Sequence, residues 1–295
     1  MLALPDSRPA ADYAEALARA QAMMALDDAN ILPEARTALF DHGARAPLAV
    51  VLFHGYTNNP AQYSKFAPML HERGVNVLVP RMPEHGDKDR MTKRLEKLTA
   101  EEILASANEA VDIAFGLGER VGVLGISMGG SLCAYFAQHR NIAISVPVAP
   151  EFGLLQLPYG VSRALAWLIK LVPNFFLWWD PRLKASLQPK TAYPRFSTHA
   201  LMQTLRIGDD VHATSEKHRQ LAERIVPVVN RCDPAVNNEV TQEIATNWAG
   251  WKRDGVEYVE MRNLPEWHDI IDWRNPKASV DIVYPRLLLA LGVAP

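Results

Sequence analysis

Residues Gly125-Ile126-Ser127-Met128-Gly129 follow directly on the apolar run from Arg120 to Leu124 and open a stretch with helical patterning. A serine in that setting stands on a sharp strand-to-helix turn, a nucleophile elbow. The turn strains the serine backbone, and the strand end nearly touches the helix start, so the positions two before and two after must be small. Gly125 and Gly129 meet that demand. The motif therefore asks for a fold in which a buried strand feeds a helix. It also asks for chemical partners, because a lone hydroxyl is a poor nucleophile near neutral pH without a base, an orienting acid and donors for the negative charge that develops.

The hydrophobic pattern supplies such a fold. Leu48 to Phe53 is a nearly pure apolar run of strand length, and Val75 to Val79, Val121 to Gly125, Ile142 to Val148 and Ile225 to Val229 repeat it. Runs of this kind are expected of strands buried on both faces. Val256 to Met261 alternates more, as at a sheet edge. Helical patterns lie between them: Pro60 to Arg73, closed by Gly74; Ala100 to Phe115, with a Thr99/Glu102 capping box; Ser131 to His139; Asn237 to Ala249; and Ala278 to Leu291. Ala10 to Ala29 reads as a surface helix on the main body, followed by an extended segment around Ile31 to Asp41. Strands alternating with helices predict an α/β fold, a mostly parallel sheet flanked by helices, with sites at the C-terminal strand ends.

One connection breaks this rhythm. From Glu151 to about Thr214 no strand-like run occurs, yet Tyr159, Trp167, Phe175, Phe176, Trp178, Trp179, Tyr193 and Phe196 are concentrated there, between Pro158, Pro173, Pro181, Pro189 and Pro194. A connection this long in a compact domain has its own structure and usually a function. The expected organisation is a core of residues 1–150 and 215–295 with a helical cap inserted at 151–214 over the elbow; the competing reading is that these aromatics complete an ordinary core.

A chain of 295 residues, 48% hydrophobic, can bury a large core in one such domain. Its 31 basic and 33 acidic residues are mixed along the chain, so no nucleic-acid footprint stands out, and a small neutral or weakly polar partner fits better. Cys133 and Cys232 form no spaced metal or redox motif and are expected as small buried hydrophobes. No H-E-x-x-H or clustered His/Cys spacing suggests a metal, and Gly116-Leu117-Gly118 precedes its strand where a nucleotide loop would follow one. Met1 to Ala29 lacks the order of a signal peptide, which makes a cytoplasmic location the expectation. No membrane span is expected: the nearest apolar stretch, Val161 to Trp179, is interrupted by Arg163, Lys170, Pro173 and Asn174.

The base for Ser127 must be a histidine at the catalytic end of the sheet, and His268, after the last predicted strand, is placed there. His71, His139 and His218 fall on helices away from strand ends, and His85 shapes a loop. The acid is expected to be Asp233, which follows a strand and gives the chain order Ser127, Asp233, His268; Glu151, at the end of the preceding strand, competes. The negative oxygen of a tetrahedral intermediate needs two backbone donors, for which the N–H groups of Met128 and, after the His54-Gly55 turn, Tyr56 are the candidates. His54, Trp178, Trp179 and His199 are candidate substrate contacts.

Together, His54-Gly55-Tyr56-Thr57, Pro83-Glu84-His85-Gly86, the elbow through Gly130, Asp233-Pro234 and His268 resemble the α/β-hydrolase family, and within it the cap-bearing carboxylesterases and monoacylglycerol lipases. The resemblance spans about Val50 to His268 and leaves out the first 45 residues. Glu84 departs from it, since relatives often carry glycine before that histidine, which puts the shape of this loop in question. The resemblance implies no cofactor and a covalent acyl-enzyme mechanism. An apolar aromatic cap then favours small-molecule esters of short to medium chain or aromatic acids. An amidase, an aminopeptidase using Glu151 or Asp180 to receive an amine, and an acyltransferase share the same triad, and a ligand receptor that has kept the fold with vestigial turnover is the reading from another class.

Overall fold

The computed structural model describes residues 2–3, 5–153, 157–169, 171–186, 192–251 and 253–295. Lys170 and Pro189, used above to read the insertion, lie outside the described residues. In chain order the elements are α1 (Tyr13–Met24), β1 (Ala38–Phe40), β2 (Ala46–Phe53), α2 (Phe66–His71), β3 (Asn76–Val79), α3 (Ala100–Leu117), β4 (Gly118–Ile126), α4 (Met128–His139) and β5 (Ile144–Val148). They continue with α5 (Tyr159–Ile169), β6 (Phe176–Trp178), β7 (Arg195–Ser197), α6 (Thr198–Ser215), β8 (Arg224–Ile225), β9 (Val228–Asn230), α7 (Asn238–Trp251), β10 (Val259–Met261) and α8 (Val280–Ala290).

The main sheet runs β1-β3-β2-β4-β5-β9-β10, with β8 beside β5. Every pairing in it is parallel except β1 with β3. This is the α/β-hydrolase architecture: a mostly parallel sheet flanked by helices. One apolar cluster joins one face of the sheet to α1, α3, α4, α6 and α7, with Phe136 and Trp248 fully buried in it. The other joins the opposite face to α2 and α8 through Phe66, Leu70, Tyr284 and Leu287. Enclosing each such side chain contributes about 1.5–3 kcal/mol, which is why the central strands are nearly pure apolar runs.

Local chemistry explains where the elements begin and end. Thr99 Oγ1 accepts from the Glu102 N–H while the Glu102 carboxylate accepts from the Thr99 N–H, closing the capping box that starts α3. The apolar run from Ile225 to Val229 is two strands, because Pro227 has no N–H to give the ladder. Helix α3 runs past Phe115 through Gly116 to Leu117, and a side chain at Gly116 would collide with the Asp12 carbonyl and with Ala16 of α1. The extended segment before β2 adds a short antiparallel edge strand, β1.

The inserted connection also holds what its sequence pattern did not suggest, a two-stranded antiparallel ladder of β6 with β7. Three-residue strands are too short to leave a periodic signature. Helix α6, read with the insertion, lies against α4 and α7 and buries Ile207 and Val211 in the core. Of the two cysteines, Cys133 is buried as expected but Cys232 is exposed, because it sits on the turn just beyond β9, where the chain leaves the sheet.

Candidate active site

The elbow is built as the motif requires. Ser127 takes φ +58° and ψ −120°, a conformation costly for any residue but glycine. A side chain at Gly125 would strike Gly129, and one at Gly129 would strike the Phe53 carbonyl. The strained turn is held by the Ser127 N–H donating to Val148 O at 3.0 Å and by Ser127 O accepting from the N–H groups of Ser131 at 2.9 Å and Glu151 at 3.3 Å. Ser127 Oγ forms no hydrogen bond with the described residues and stays partly exposed.

The loops after β9 and β10 bring the predicted acid and base together over a separation of 35 residues. His268 Nδ1 donates to Asp233 Oδ2 at 2.8 Å, with the carboxylate fully enclosed and the imidazole one-quarter exposed. Asp233 Oδ1 also accepts from the N–H groups of Ala235 at 2.8 Å and Val236 at 3.3 Å. Burial by itself would lower the His268 pKa; the charge and hydrogen bond of Asp233, with smaller contributions from Asp269 and Glu151, hold it above the usual imidazole value. That order of causes is what a base needs if its protonated form is to be stabilised when it takes a proton.

Several residues that the sequence reading did not single out hold these loops. Asn230, buried at the end of β9, donates through Nδ2 to the carbonyls of Pro265 and Trp267, each at 2.8 Å, and accepts the Cys232 N–H at 3.1 Å. One side chain thus ties the acid loop to the base loop. Asp269, next to the imidazole, accepts from Gln62 Nε2 at 2.8 Å and from Asn58 Nδ2 at 3.1 Å, and Gln62 Oε1 accepts the Gly55 N–H at 3.0 Å. This chain braces the base loop against the loop after β2. The only sequence signal for these residues is the presence of polar amides at positions that the fold buries; their partners are distant in the chain.

The loop after β2 carries the proposed anion donors. Neither the Tyr56 N–H nor the Met128 N–H, at the first turn of α4, is taken by an acceptor among the described residues. Gly55 lies beside the nucleophile, where a Cβ would stand 3.5 Å from Ser127 Cβ. Thr57 follows at φ +63°, and the insertion clamps this strained loop. Trp179 Nε1 donates to Thr57 Oγ1 at 2.8 Å, the Tyr193 N–H donates to Thr57 O at 2.9 Å, and the Tyr56 hydroxyl donates to Ser197 O at 2.9 Å.

The candidate substrate contacts fare differently. His54 is not available to a ligand: it is fully buried, Nδ1 donates to Gly55 O at 2.9 Å and Nε2 accepts the Met82 N–H at 3.1 Å. Burial, with His85 adding to it, pushes its pKa well below the usual range, so it serves as a neutral strut under the loop. His199 binds Val172 O through Nε2 at 2.8 Å, and the Lys184 ammonium lies 5.8 Å from the centre of the Trp178 ring. Trp179, packed on Phe196 with ring centres 4.2 Å apart and edge-on to Tyr56 at 6.4 Å, is the aromatic side chain that meets the site loop. Asp180 is engaged by Arg182 at 2.9 Å.

The departure at Glu84 has a local resolution. Its φ is +63°, a value glycine takes more readily; Arg94 holds its carboxylate at 2.8 Å and the Tyr193 hydroxyl donates to its carbonyl at 3.1 Å. His85, stacked between this loop and the insertion, is held neutral by burial at a pKa of about 4. Among the described residues no helix is long and apolar enough to cross a membrane.

Comparison with known proteins bears on the family and the fold. Residues 50–287 match the model of the alpha/beta hydrolase family. A thermostable monoacylglycerol lipase of Bacillus sp. (strain H-257) is 28% identical over 167 residues, which cover 56% of this chain and 64% of the relative. The match therefore spans less than two thirds of the relative's length. Among solved structures, a monoacylglycerol lipase of Paleococcus ferrophilus superposes with a TM-score of 0.64 at 20% identity, covering 87% of this chain and 98% of that one. A soluble variant of monoglyceride lipase from Saccharomyces cerevisiae gives 0.63 at 15% identity, covering 87% and 90%. At these identities the superpositions speak for the shared fold.

Proposed function

Because the chain belongs to the alpha/beta hydrolase family, we propose that it is a serine carboxylic-ester hydrolase acting through an acyl-enzyme on small apolar esters. The observation that carries the reading is the 2.8 Å hydrogen bond from His268 Nδ1 to the enclosed Asp233, formed at the end of the sheet that also holds Ser127 in its strained elbow. The chemistry follows. Asp233 fixes the imidazole with its proton on Nδ1, leaving Nε2 as the base. As substrate binds, the Ser127 hydroxyl and Nε2 close on one another, a bond that is commonly long or absent before substrate arrives. Nε2 takes the hydroxyl proton while Oγ attacks the carbonyl carbon. The N–H groups of Tyr56 and Met128 receive the oxyanion, each worth about 3 kcal/mol in the transition state. The imidazolium then protonates the departing alcohol, and water repeats the sequence on the acyl-enzyme.

The part of the insertion that precedes α6 acts in this reading as the cap, with Trp179 and its neighbours closing the site against water. A related monoacylglycerol lipase supports ester chemistry in this family branch without fixing the substrate. A panel of p-nitrophenyl esters of increasing acyl length, run against Ser127→Ala, tests the proposal. The expected result is turnover that varies with chain length and vanishes in the variant. Equal rates across the panel would remove the apolar acyl pocket, and turnover in the variant would remove the nucleophile.

A further inference from the structure

We propose that Asp269 and Gln62 are positioning residues of this site: from its place beside the base, the Asp269 carboxylate holds Gln62 and Asn58 against the two sides of Gly55, and so aims the Tyr56 N–H at the developing oxyanion. The inference rests on the ester-hydrolase reading and deepens it.

A donor stabilises an oxyanion best when its direction is fixed before the charge develops. The Tyr56 N–H belongs to the Gly55–Tyr56 peptide, and in a planar trans peptide the carbonyl and the N–H point in opposite directions. Whatever holds Gly55 O therefore sets the Tyr56 N–H. Gly55 O accepts from His54 Nδ1 at 2.9 Å and from the Asn58 N–H at 3.1 Å. On the other side of the same residue, the Gly55 N–H donates to Gln62 Oε1 at 3.0 Å. Both peptide planes that meet at Gly55 are thus held, beside the nucleophile, at the residue type whose backbone turns most freely.

Two of these three holders are themselves held at one atom. Asp269 Oδ2 accepts from Gln62 Nε2 at 2.8 Å and from Asn58 Nδ2 at 3.1 Å. Asp269 Oδ1 accepts from the N–H groups of Asp272 at 3.0 Å and Ile271 at 3.2 Å, which fixes the carboxylate within the base loop. Burial and Asp272 raise the Asp269 pKa, while the same two N–H groups and His268 oppose the rise. All four of its hydrogen bonds come from donors, the pattern of an ionised acid. Gln62 is buried, and its amide has one orientation: the Gly55 N–H requires its oxygen, which leaves Nε2 for the carboxylate. Asp269 also follows the base directly in the chain, and against the pull of burial its charge joins that of Asp233 in holding the His268 pKa up. One carboxylate therefore serves the base and, through two amides, the oxyanion donor, without touching the substrate.

Sulfur in place of the carbonyl oxygen tests this, because a thiocarbonyl is larger, accepts hydrogen bonds poorly and gains little from oxyanion donors. The comparison is p-nitrophenyl butyrate against its thionoester, at about pH 8 where the base is neutral. The wild type is expected to prefer the oxygen ester by about a hundredfold in kcat/KM. Gln62→Met, of similar volume but with no acceptor for the Gly55 N–H, should lower that ratio about tenfold, through kcat for the oxygen ester rather than KM. Asp269→Asn should reproduce the fall, because its new N–H faces Gln62 Nε2 and turns the Gln62 amide over. The weaker base that accompanies loss of the Asp269 charge slows both esters alike and leaves the ratio untouched. A ratio of rates does not depend on the fraction of folded enzyme, and Asp269→Asn, which keeps the shape of the side chain, decides if Gln62→Met does not fold. Rates that fall together at an unchanged ratio, or rates that do not fall, would overturn the inference and leave the ester-hydrolase reading standing. A fall in Gln62→Met alone would overturn the role of Asp269. Absence of hydrolysis of either ester by the wild type, with no adduct at Ser127, would overturn the underlying reading and this inference with it.

Discussion

The inserted segment has two sides of unlike chemistry. Its inner edge is tied by polar bonds to the loop beside the nucleophile: Trp179 and Tyr193 to Thr57, and Ser197 to the Tyr56 hydroxyl. Its outer helix, α5, turns Val161, Leu165, Trp167 and Leu168 to the exterior, each at least 40% exposed. The inner edge holds a strained loop in place through the Thr57 hydroxyl and carbonyl and the Tyr56 hydroxyl. The outer face contributes apolar surface without fixing any backbone at the site. The lesson is that geometry near Ser127 depends on a few polar ties, and that aromatic content alone does not mark them: Trp167 and Trp179 have the same side chain and opposite consequences.

Substitutions can break or sharpen this contrast. The largest effect is expected from the site itself. Asp233→Asn should lower kcat by about 10⁴ with the fold intact, because the imidazole loses its tautomer and the partner of its positive charge. The same relation sets a pH dependence. The base works only when neutral, and its pKa is raised above 6.5. The kcat/KM profile should therefore rise through an apparent pKa above 6.5 and fall off as pH drops below it. A limb centred well below that value would show that Asp233 does not act on His268.

An intermediate effect is expected at the inner edge. Trp179→Leu removes the bond to Thr57 and should reduce kcat about tenfold, with a smaller change in KM, as an oxyanion donor drifts from its place. The smallest effect is expected at the outer face. Leu165→Ser should change stability by within about 0.5 kcal/mol and leave turnover of dissolved short esters within about twofold. Stopped assays with chemical denaturation on both variants would settle the contrast. Equal losses in the two would erase it.

Much of this molecule was legible in its sequence, for identifiable reasons. Gly125 and Gly129 are demanded by backbone approach within one turn, so the elbow declares itself locally. The buried strands declare themselves because a sheet covered on both faces admits little but apolar residues. The order of Ser127, Asp233 and His268 along those strands then pointed to three strand ends. What could not be read are the ties across sequence. Asn230 reaches Pro265 and Trp267, and Gln62 reaches Asp269, over intervals that no local pattern records. His54 misled for the same reason, since a histidine at a strand end looks available until its two nitrogens are seen to be spent on Gly55 and Met82. Glu151 was visible as a carboxylate near the site, but its enclosure beside Thr204 of α6 is a property of packing.

The central claim is that Ser127 is the nucleophile of a relay completed by His268 and Asp233. Intact-mass measurement after exposure to a fluorophosphonate, followed by peptide mapping, tests it most directly. The account predicts a single adduct on Ser127 that forms rapidly in the wild type, is absent in Ser127→Ala, and forms much more slowly in His268→Ala and Asp233→Asn. Labelling that persists in Ser127→Ala, or that proceeds at the wild-type rate without the imidazole, would contradict it.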